Sequence, residues 1–149
     1  MIPRLRSPRE TLGGYVILPR LIDKVRLKSR GELPDAYLPN LLRKTDPNTG
    51  LFPLDGRFLL FTEIGAEELE TAILHSPDDA AVLAWIEAHG RKRSDQEKEE
   101  WRRTVEAAPA SETRTAHRKR SYPTLAHRSD IGDLSPFDLI DLDEERPVP

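Results

Sequence analysis

The sequence lacks cysteine entirely, so disulfides, thiolate nucleophiles, zinc–sulfur sites and iron–sulfur clusters are excluded. Aromatic residues make up only 6% of its 149 residues. Long apolar runs are also missing, since the run from Tyr15 to Leu18 is far too short to span a membrane. The opening residues MIPRLRSPRE have no apolar core of the kind found in signal peptides. We therefore expect a soluble protein of the cytoplasm.

Charge is abundant in this chain, and it is unevenly distributed. Charged residues make up 33% of the sequence and the net charge is −3, which argues against nucleic-acid binding driven by overall charge. Up to Arg30, eight basic residues outnumber two acidic ones. From Asp130 to Glu145 there are seven acidic residues and no basic residue. The two ends of the chain are therefore complementary in charge.

The stretch from Leu18 to Gly31 predicts the central helix of the fold. Pro19 suits the first turn of a helix, and Gly31 suits the position just past its end. The opposite face of this helix carries Arg20, Asp23 and Leu27, and the leucine favours a covered face over a solvated one. The apolar face is defined by residues at i, i+3, i+4 and i+7: Leu18, Leu21, Ile22 and Val25.

The whole pattern predicts an all-α fold, a small bundle of five to six short helices with an irregular N-terminal arm and a C-terminal extension. The apolar run 58–61 fits a buried strand or a helix, and we favour a helix because no second strand is available for pairing. Spacing and capping patterns place the other helices near Pro39, at Ala66 to His75, from Pro77 (capped by Ser76) to Gly90, and from the Ser94–Glu97 capping box to about Ala108.

Composition divides the chain into three parts. Residues 1–108 predict a helical domain, and residues 109–129 read as a flexible, linker-like segment without helical or strand period. Residues 130–149 form an acidic, hydrophobic C-terminal segment in which Ser135 and Pro136 suit a helix start. We expect this segment to dock on something basic, either this domain or a neighbouring subunit, through four apolar anchors: Ile131, Leu134, Phe137 and Ile140.

Several blocks of this sequence resemble a family catalogued as domain of unknown function 5069. The main signature is SPRETLGGYVILPRLIDKVRLKSRG, from Ser7 to Gly31, and supporting blocks are DGRFLLF, SPDDAAVLAWIEAHG and RSDIGDLSPFDLIDLDEER. The resemblance implies a small, mainly helical bacterial protein with no assigned activity, cofactor or catalytic residues. It also implies that residues 130–146 belong to the fold.

Candidate binding residues cluster on and beside the central helix. Guanidinium groups held by a carboxylate can receive a phosphate or a carboxylate ligand, because arginine presents a planar fork of donors. The structural interpretation is a salt-bridged polar face, in which Asp23 can pair with Arg20 or Arg26 three residues away on either side, or a partly buried network that locks the arm onto the helix. The candidate anion-binding set comprises Arg9, Arg20, Asp23, Lys24 and Arg26.

Other site chemistries have less support. The four histidines (His75, His89, His117 and His127) lack metal-ligand spacing, so the sequence predicts neither a metal site nor a cofactor. The run Arg118 to Arg120 followed by Tyr122 offers charge and one stacking ring, but such a short cluster more often serves solubility. We therefore do not expect nucleic acid as a partner.

Two hypotheses of function remain from the sequence. The leading one is a non-catalytic cytoplasmic interaction module whose partner is another protein or a second copy of the chain. The alternative is a small-molecule or anion-binding protein, with enzymatic activity left open, that uses the Arg/Asp/Lys face of the central helix. Geometry discriminates between them: side chains that converge on an open pocket favour the ligand, and side chains that pair off favour structure.

Overall fold

The computed structural model describes residues 5–43, 53–107 and 112–146. It is predominantly α-helical, as expected. The first four residues of the predicted arm, the start of the linker-like segment and the last three residues lie outside these ranges. The described elements are β1 (Thr11–Leu12), β2 (Tyr15–Val16), α1 (Leu18–Ser29), α2 (Leu54–Thr62), α3 (Ala66–His75), α4 (Asp79–His89), α5 (Asp95–Glu106), α6 (Glu112–Ser121), α7 (Pro136–Asp143) and two 3-10 helices, Asp35–Asn40 and Pro123–Leu125.

The predicted irregular arm contains a small antiparallel hairpin formed by β1 and β2. Thr11 lies opposite Val16, and Leu12 lies opposite Tyr15. Gly13 and Gly14 form the two-residue turn with φ values of 59° and 83°. Positive φ at both central positions is what a type I′ hairpin turn requires, and glycine meets it without steric cost. Strands of two residues are too short to show an alternating pattern, so periodicity missed this hairpin.

Helix α1 lies at the centre of the protein and is buried on almost every side. Eight of its twelve residues are buried, including Arg20 and Leu27 on the face opposite the apolar stripe. This confirms the prediction that the opposite face is covered. The main core gathers around α1 and includes side chains from the hairpin, α2, α3, α4, α5 and α7. A buried charged side chain on α1 therefore needs a partner from another element.

Most helices match their predicted positions. Helix α2 confirms the helical interpretation of residues 58–61, and α3 has the predicted bounds. The capping box before α5 is present, with Ser94 accepting from the Glu97 amide and Glu97 accepting from the Ser94 amide. These agreements arise where a local cap and an apolar face point to the same element.

The predicted start of α4 was wrong by two residues. Ser76 ends α3 instead of capping α4, and its hydroxyl donates to the Ala72 carbonyl at 2.6 Å. Asp78 is the N-cap of α4 and accepts from the Ala81 amide at 2.9 Å. Both residues are good caps, so the sequence pattern alone does not separate them.

The short helix predicted near Pro39 also differs from the structure. The 3-10 helix Asp35–Asn40 ends where the predicted helix was expected to begin.

Helix α6 lies within the segment that the sequence predicted to be linker-like. Ala116 is its one apolar residue, so no periodic stripe marks it as a helix. Arg118 is buried and donates through Nη1 to the carbonyls of Ile131 and Leu134 at 2.6 and 2.9 Å. These two bonds attach the helix to the turn that precedes α7.

The acidic C-terminal segment docks within this chain. Ser135 caps α7 by accepting from the Asp138 amide at 3.0 Å, as its position predicted. Phe137 is fully buried in the main core, while Ile131 and Leu139 form a second apolar cluster with Leu125. Of the other predicted anchors, Leu134 and Ile140 are only partly buried.

Gly90 supports a stability prediction, because it lies where the C-terminal ends of α2 and α4 meet. A Cβ at Gly90 would lie 2.9 Å from the Ile86 carbonyl oxygen and 3.1 Å from the Thr62 carbonyl oxygen. Backbone atoms cannot rotate away, so Gly90→Ala should lower the free energy of unfolding by about 1–3 kcal/mol in urea titrations.

The matched control is Gly65→Ala, which also lies beside a helix end. A Cβ there meets the flexible Glu68 side chain at 3.2 Å, so the change should stay within about 0.5 kcal/mol. Equal effects of the two substitutions would contradict the packing described at Gly90.

Candidate functional site

The five candidate residues predicted from the sequence do not converge on one site. Each forms an ion pair with a partner on another part of the chain. The pairs are Arg9 with Asp138 and Asp141, Arg20 with Glu144, Asp23 with Arg6, Lys24 with Asp55, and Arg26 with Asp79.

Asp23 pairs with Arg6 of the N-terminal arm, and not with Arg20 or Arg26, the two helix neighbours that its spacing allows. Asp23 accepts from the Arg6 guanidinium at 3.0 Å and from the Arg6 backbone amide at 2.9 Å. Arg6 also reaches Asp79, with Nη1 2.6 Å from Oδ2, and Arg26 lies 3.4 Å from the other oxygen of Asp79. The network joins the N-terminal arm to α1 and to the start of α4. Asp23 and Arg26 therefore pair with residues from other elements instead of with each other.

The Arg20–Glu144 pair is buried between α1 and the end of α7. Its two N–O distances are 2.9 and 2.6 Å, and the side chains are 6% and 3% exposed. The Tyr37 hydroxyl donates to the same carboxylate at 2.9 Å. Burial works to lower the pKa of Arg20, but hydrogen bonds and charge from Glu144 outweigh it and raise that pKa. Removing one partner of such a pair typically costs about 3–5 kcal/mol.

Lys24 and Asp55 form a second buried pair next to the first. The lysine Nζ lies 2.8 Å from both carboxylate oxygens, and the Leu42 amide donates to Asp55 at 3.0 Å. Burial lowers the pKa of Lys24, and the charge of Asp55 offsets part of that effect. The pair satisfies both groups where water is excluded.

A cavity of about 590 Å³ lies between α1, α2, α6, α7 and the 3-10 helix Asp35–Asn40. Of the predicted residues, Arg20 and Lys24 line it, whereas Arg9, Asp23 and Arg26 do not. Its described lining carries three more positive than negative side chains. The cations are Arg20, Lys24, Arg57, Arg114, Arg118 and Arg120, and the acids are Asp55, Asp143 and Glu144.

Arg57 on α2 and Arg118 on α6 contribute to this positive surplus. Neither forms an ion pair with any carboxylate in the described part of the chain. Burial, reinforced by the nearby charge of Arg114, lowers the pKa of both guanidinium groups. They differ in this from Arg20, whose pKa is raised by its carboxylate partner.

Sequence pattern carries only a partial signal for these residues. The run Arg118 to Arg120 is a basic cluster, but it lies in a segment without predicted structure. Arg57 lies in the apolar block DGRFLLF, where nothing distinguishes it from an arginine at the surface. That both line one cavity depends on the tertiary arrangement of α2 and α6, which local pattern does not encode.

The cavity lining also carries hydroxyl and carboxylate groups. Tyr37, Tyr122, Asp143 and Glu144 line it, and burial raises the pKa of Tyr122 to about 12. Glu144 is neutralised by Arg20, but Asp143 forms no ion pair within the described residues. The Thr124 hydroxyl donates to Asp143 at 3.5 Å. Burial and the adjacent Glu144 raise the pKa of Asp143.

The family model described as Domain of unknown function (DUF5069) matches residues 2–146, nearly the whole chain. The chain belongs to the DUF5069 family. The match spans α1, the cavity and the docked C-terminal segment, so all of the features above lie within the family domain. No curated protein matches this DUF5069 chain.

Among the described residues of this DUF5069 domain, no helix has the length and apolar character needed to cross a membrane. Across residues 5–43, 53–107 and 112–146, no three histidine, aspartate or glutamate side chains are grouped to hold a metal ion.

The Glu144 ion pair generates a pH prediction. Burial works to raise the pKa of Glu144, but hydrogen bonds from Arg20, Arg146 and Tyr37 outweigh it and hold the pKa below the ordinary 4.5. The unfolded chain therefore takes up this proton at higher pH than the folded chain. The contribution of Glu144 to stability is present above pH 4.5 and is lost as pH falls through its lowered pKa.

Urea unfolding across this pH range should therefore show a shallower loss of stability for Glu144→Gln than for the wild type. The control is Glu70→Gln, which removes the exposed pair with Lys28 and should leave the wild-type slope unchanged. A wild-type slope in the Glu144 variant would refute the assignment.

Proposed function

We propose that this protein binds a small anionic molecule in the cavity between α1, α2, α6 and α7. The observation that carries the proposal is the surplus of positive charge at Arg57 and Arg118, two guanidinium groups without a carboxylate partner in the described chain. The sequence hypothesis placed an anion site on the Arg/Asp/Lys face of α1, and the pairing of those side chains favours a structural role for that face. The cavity is a different location, and of the five predicted residues it shares Arg20 and Lys24.

Electrostatic repulsion among the cavity arginines favours binding of an anion. Arg57 and Arg118 are each repelled by Arg114 in surroundings of reduced dielectric, where charge–charge interactions are stronger than in water. A bound anion relieves that repulsion and accepts the charge-assisted hydrogen bonds that guanidinium groups offer to phosphate or carboxylate oxygens. Relief of the repulsion therefore contributes to the free energy of binding.

The size of the cavity is consistent with an organic ligand. Small-molecule sites typically enclose about 300–1,000 Å³, and this cavity falls inside that range. Leu139 and the ring of Tyr122 contribute apolar lining beside the charged groups. That mixture is typical of ligand sites, where a few polar groups fix the orientation.

The interaction-module hypothesis now has less support. It depended on charge segregation between the two ends of the chain, and that charge is used in ion pairs such as Arg9–Asp138 and Arg20–Glu144. We therefore rank ligand binding first. A protein partner or a second copy, a cytoplasmic location and a bacterial source stay predictions from the sequence.

The substitution Arg57→Gln tests the proposal. It removes one unpaired charge and should weaken phosphate binding at least roughly tenfold, because charge-assisted hydrogen bonds contribute about 1.5–3 kcal/mol each. The free energy of unfolding should stay equal or rise, since burial and Arg114 disfavour this charge. Titration calorimetry at low ionic strength measures the first quantity, and urea unfolding the second.

The matched control is Arg103→Gln on α5, which removes a mostly exposed arginine whose partner is Glu99. Its phosphate affinity should equal that of the wild type. Loss of binding in both variants would indicate a general charge effect and contradict a site at Arg57.

A further inference from the structure

The lining of the cavity carries two chemically different sets of groups. The first set is Arg57, Arg114 and Arg118 from α2 and α6. The second set is Asp143 and Tyr122, which line the cavity together with the neutralised Arg20–Glu144 pair. An anion held by the arginines therefore occupies only part of a space that is far larger than a single phosphate ion.

Asp143 is the distinctive group of the second set. It lies in an anion site, where a carboxylate weakens binding of any negative group placed near it. Its one hydrogen bond within the described residues is a long one from Thr124, so lone pairs remain for a ligand that donates. The raised pKa of Asp143 agrees with a carboxylate that has no cation partner.

We infer that the ligand is a hydroxylated phosphomonoester, such as a sugar phosphate, with its phosphate against Arg57, Arg114 and Arg118 and a hydroxyl donating to Asp143. The inference rests on the proposed function and adds the chemical class of the ligand. Asp143 is then a specificity-determining residue.

Phosphate suits the arginines better than a single carboxylate does. Guanidinium groups from two helices line the cavity, and a phosphomonoester offers three oxygens and close to two negative charges to satisfy them. A hydroxyl suits Asp143 better than an ammonium group does, because the positive surplus of the lining opposes a further cation. The amphipathic ring of Tyr122 beside Asp143 provides a surface for the organic part.

The test is titration calorimetry of the full chain with ribose 5-phosphate, glucose 6-phosphate and inorganic phosphate at one ionic strength. We expect at least one sugar phosphate to bind roughly tenfold more tightly than inorganic phosphate, because the hydroxyl adds a hydrogen bond to a charged acceptor. Asp143→Ala should remove that advantage while leaving inorganic phosphate bound equally or more tightly, since a repulsive charge is lost.

A conservative variant and a control variant accompany this test. Asp143→Asn keeps the side-chain size and should reduce sugar-phosphate affinity in the same direction, which keeps the test valid if the alanine variant folds poorly. Glu87→Ala removes an exposed acid of α4 that is outside the cavity lining and should change neither affinity.

The outcomes separate this inference from the proposed function. If inorganic phosphate binds as tightly as both sugar phosphates, or if Asp143→Ala affects both kinds of ligand alike, the inference is overturned and anion binding stands. If neither inorganic phosphate nor a sugar phosphate binds, the inference and the proposed function both fail.

Discussion

The structure depends on one constraint: α1 is buried on almost every side, yet it carries Arg20 and Lys24 into the interior. A buried charge without a partner costs several kcal/mol, so the fold must supply a carboxylate for each of them. Glu144 comes from the end of α7, and Asp55 comes from α2. The positions of these two helices beside α1 are thus fixed by charge as well as by apolar packing.

The same constraint explains how the two ends of the chain come together. The N-terminal arm is held by Arg6 on Asp23 and by Arg9 on Asp138, while Arg146 donates to the Leu5 carbonyl and to Glu144. The basic and acidic ends therefore stabilise the fold by meeting over the central helix. Matched charges have structural roles, whereas the half-buried charge of Arg57 has no carboxylate partner within the described residues, and our proposal of a binding site depends on that difference.

How far the sequence predicts this protein depends on whether the information is local. The α5 capping box, the α3 bounds and the helical state of α2 follow from residues within one or two turns, and all were predicted. The partner of Asp23 was not, because Arg6 lies 17 positions away and competes successfully with the two arginines on the same helix. Helix α6 has no apolar stripe, so the pattern that identifies other helices does not apply to it.

The candidate site was only partly accessible to sequence reasoning. Arg20 and Lys24 were named and line the cavity, but both are neutralised there by carboxylates. Arg57 is distinguished only in the folded chain, where it is half-buried and forms no ion pair within the described residues. A sequence shows which residues carry charge, whereas pairing is a property of the folded chain.

The central claim is that matched and unmatched arginines differ in function, and arginine side-chain NMR during a phosphate titration tests it most directly. The account predicts that the Nε–Hε signal of Arg57 shifts and saturates, while the signals of Arg9 and Arg26, which are held by carboxylates, stay in place. Saturating shifts of Arg9 or Arg26 with the same midpoint, or an Arg57 signal that does not respond, would contradict it.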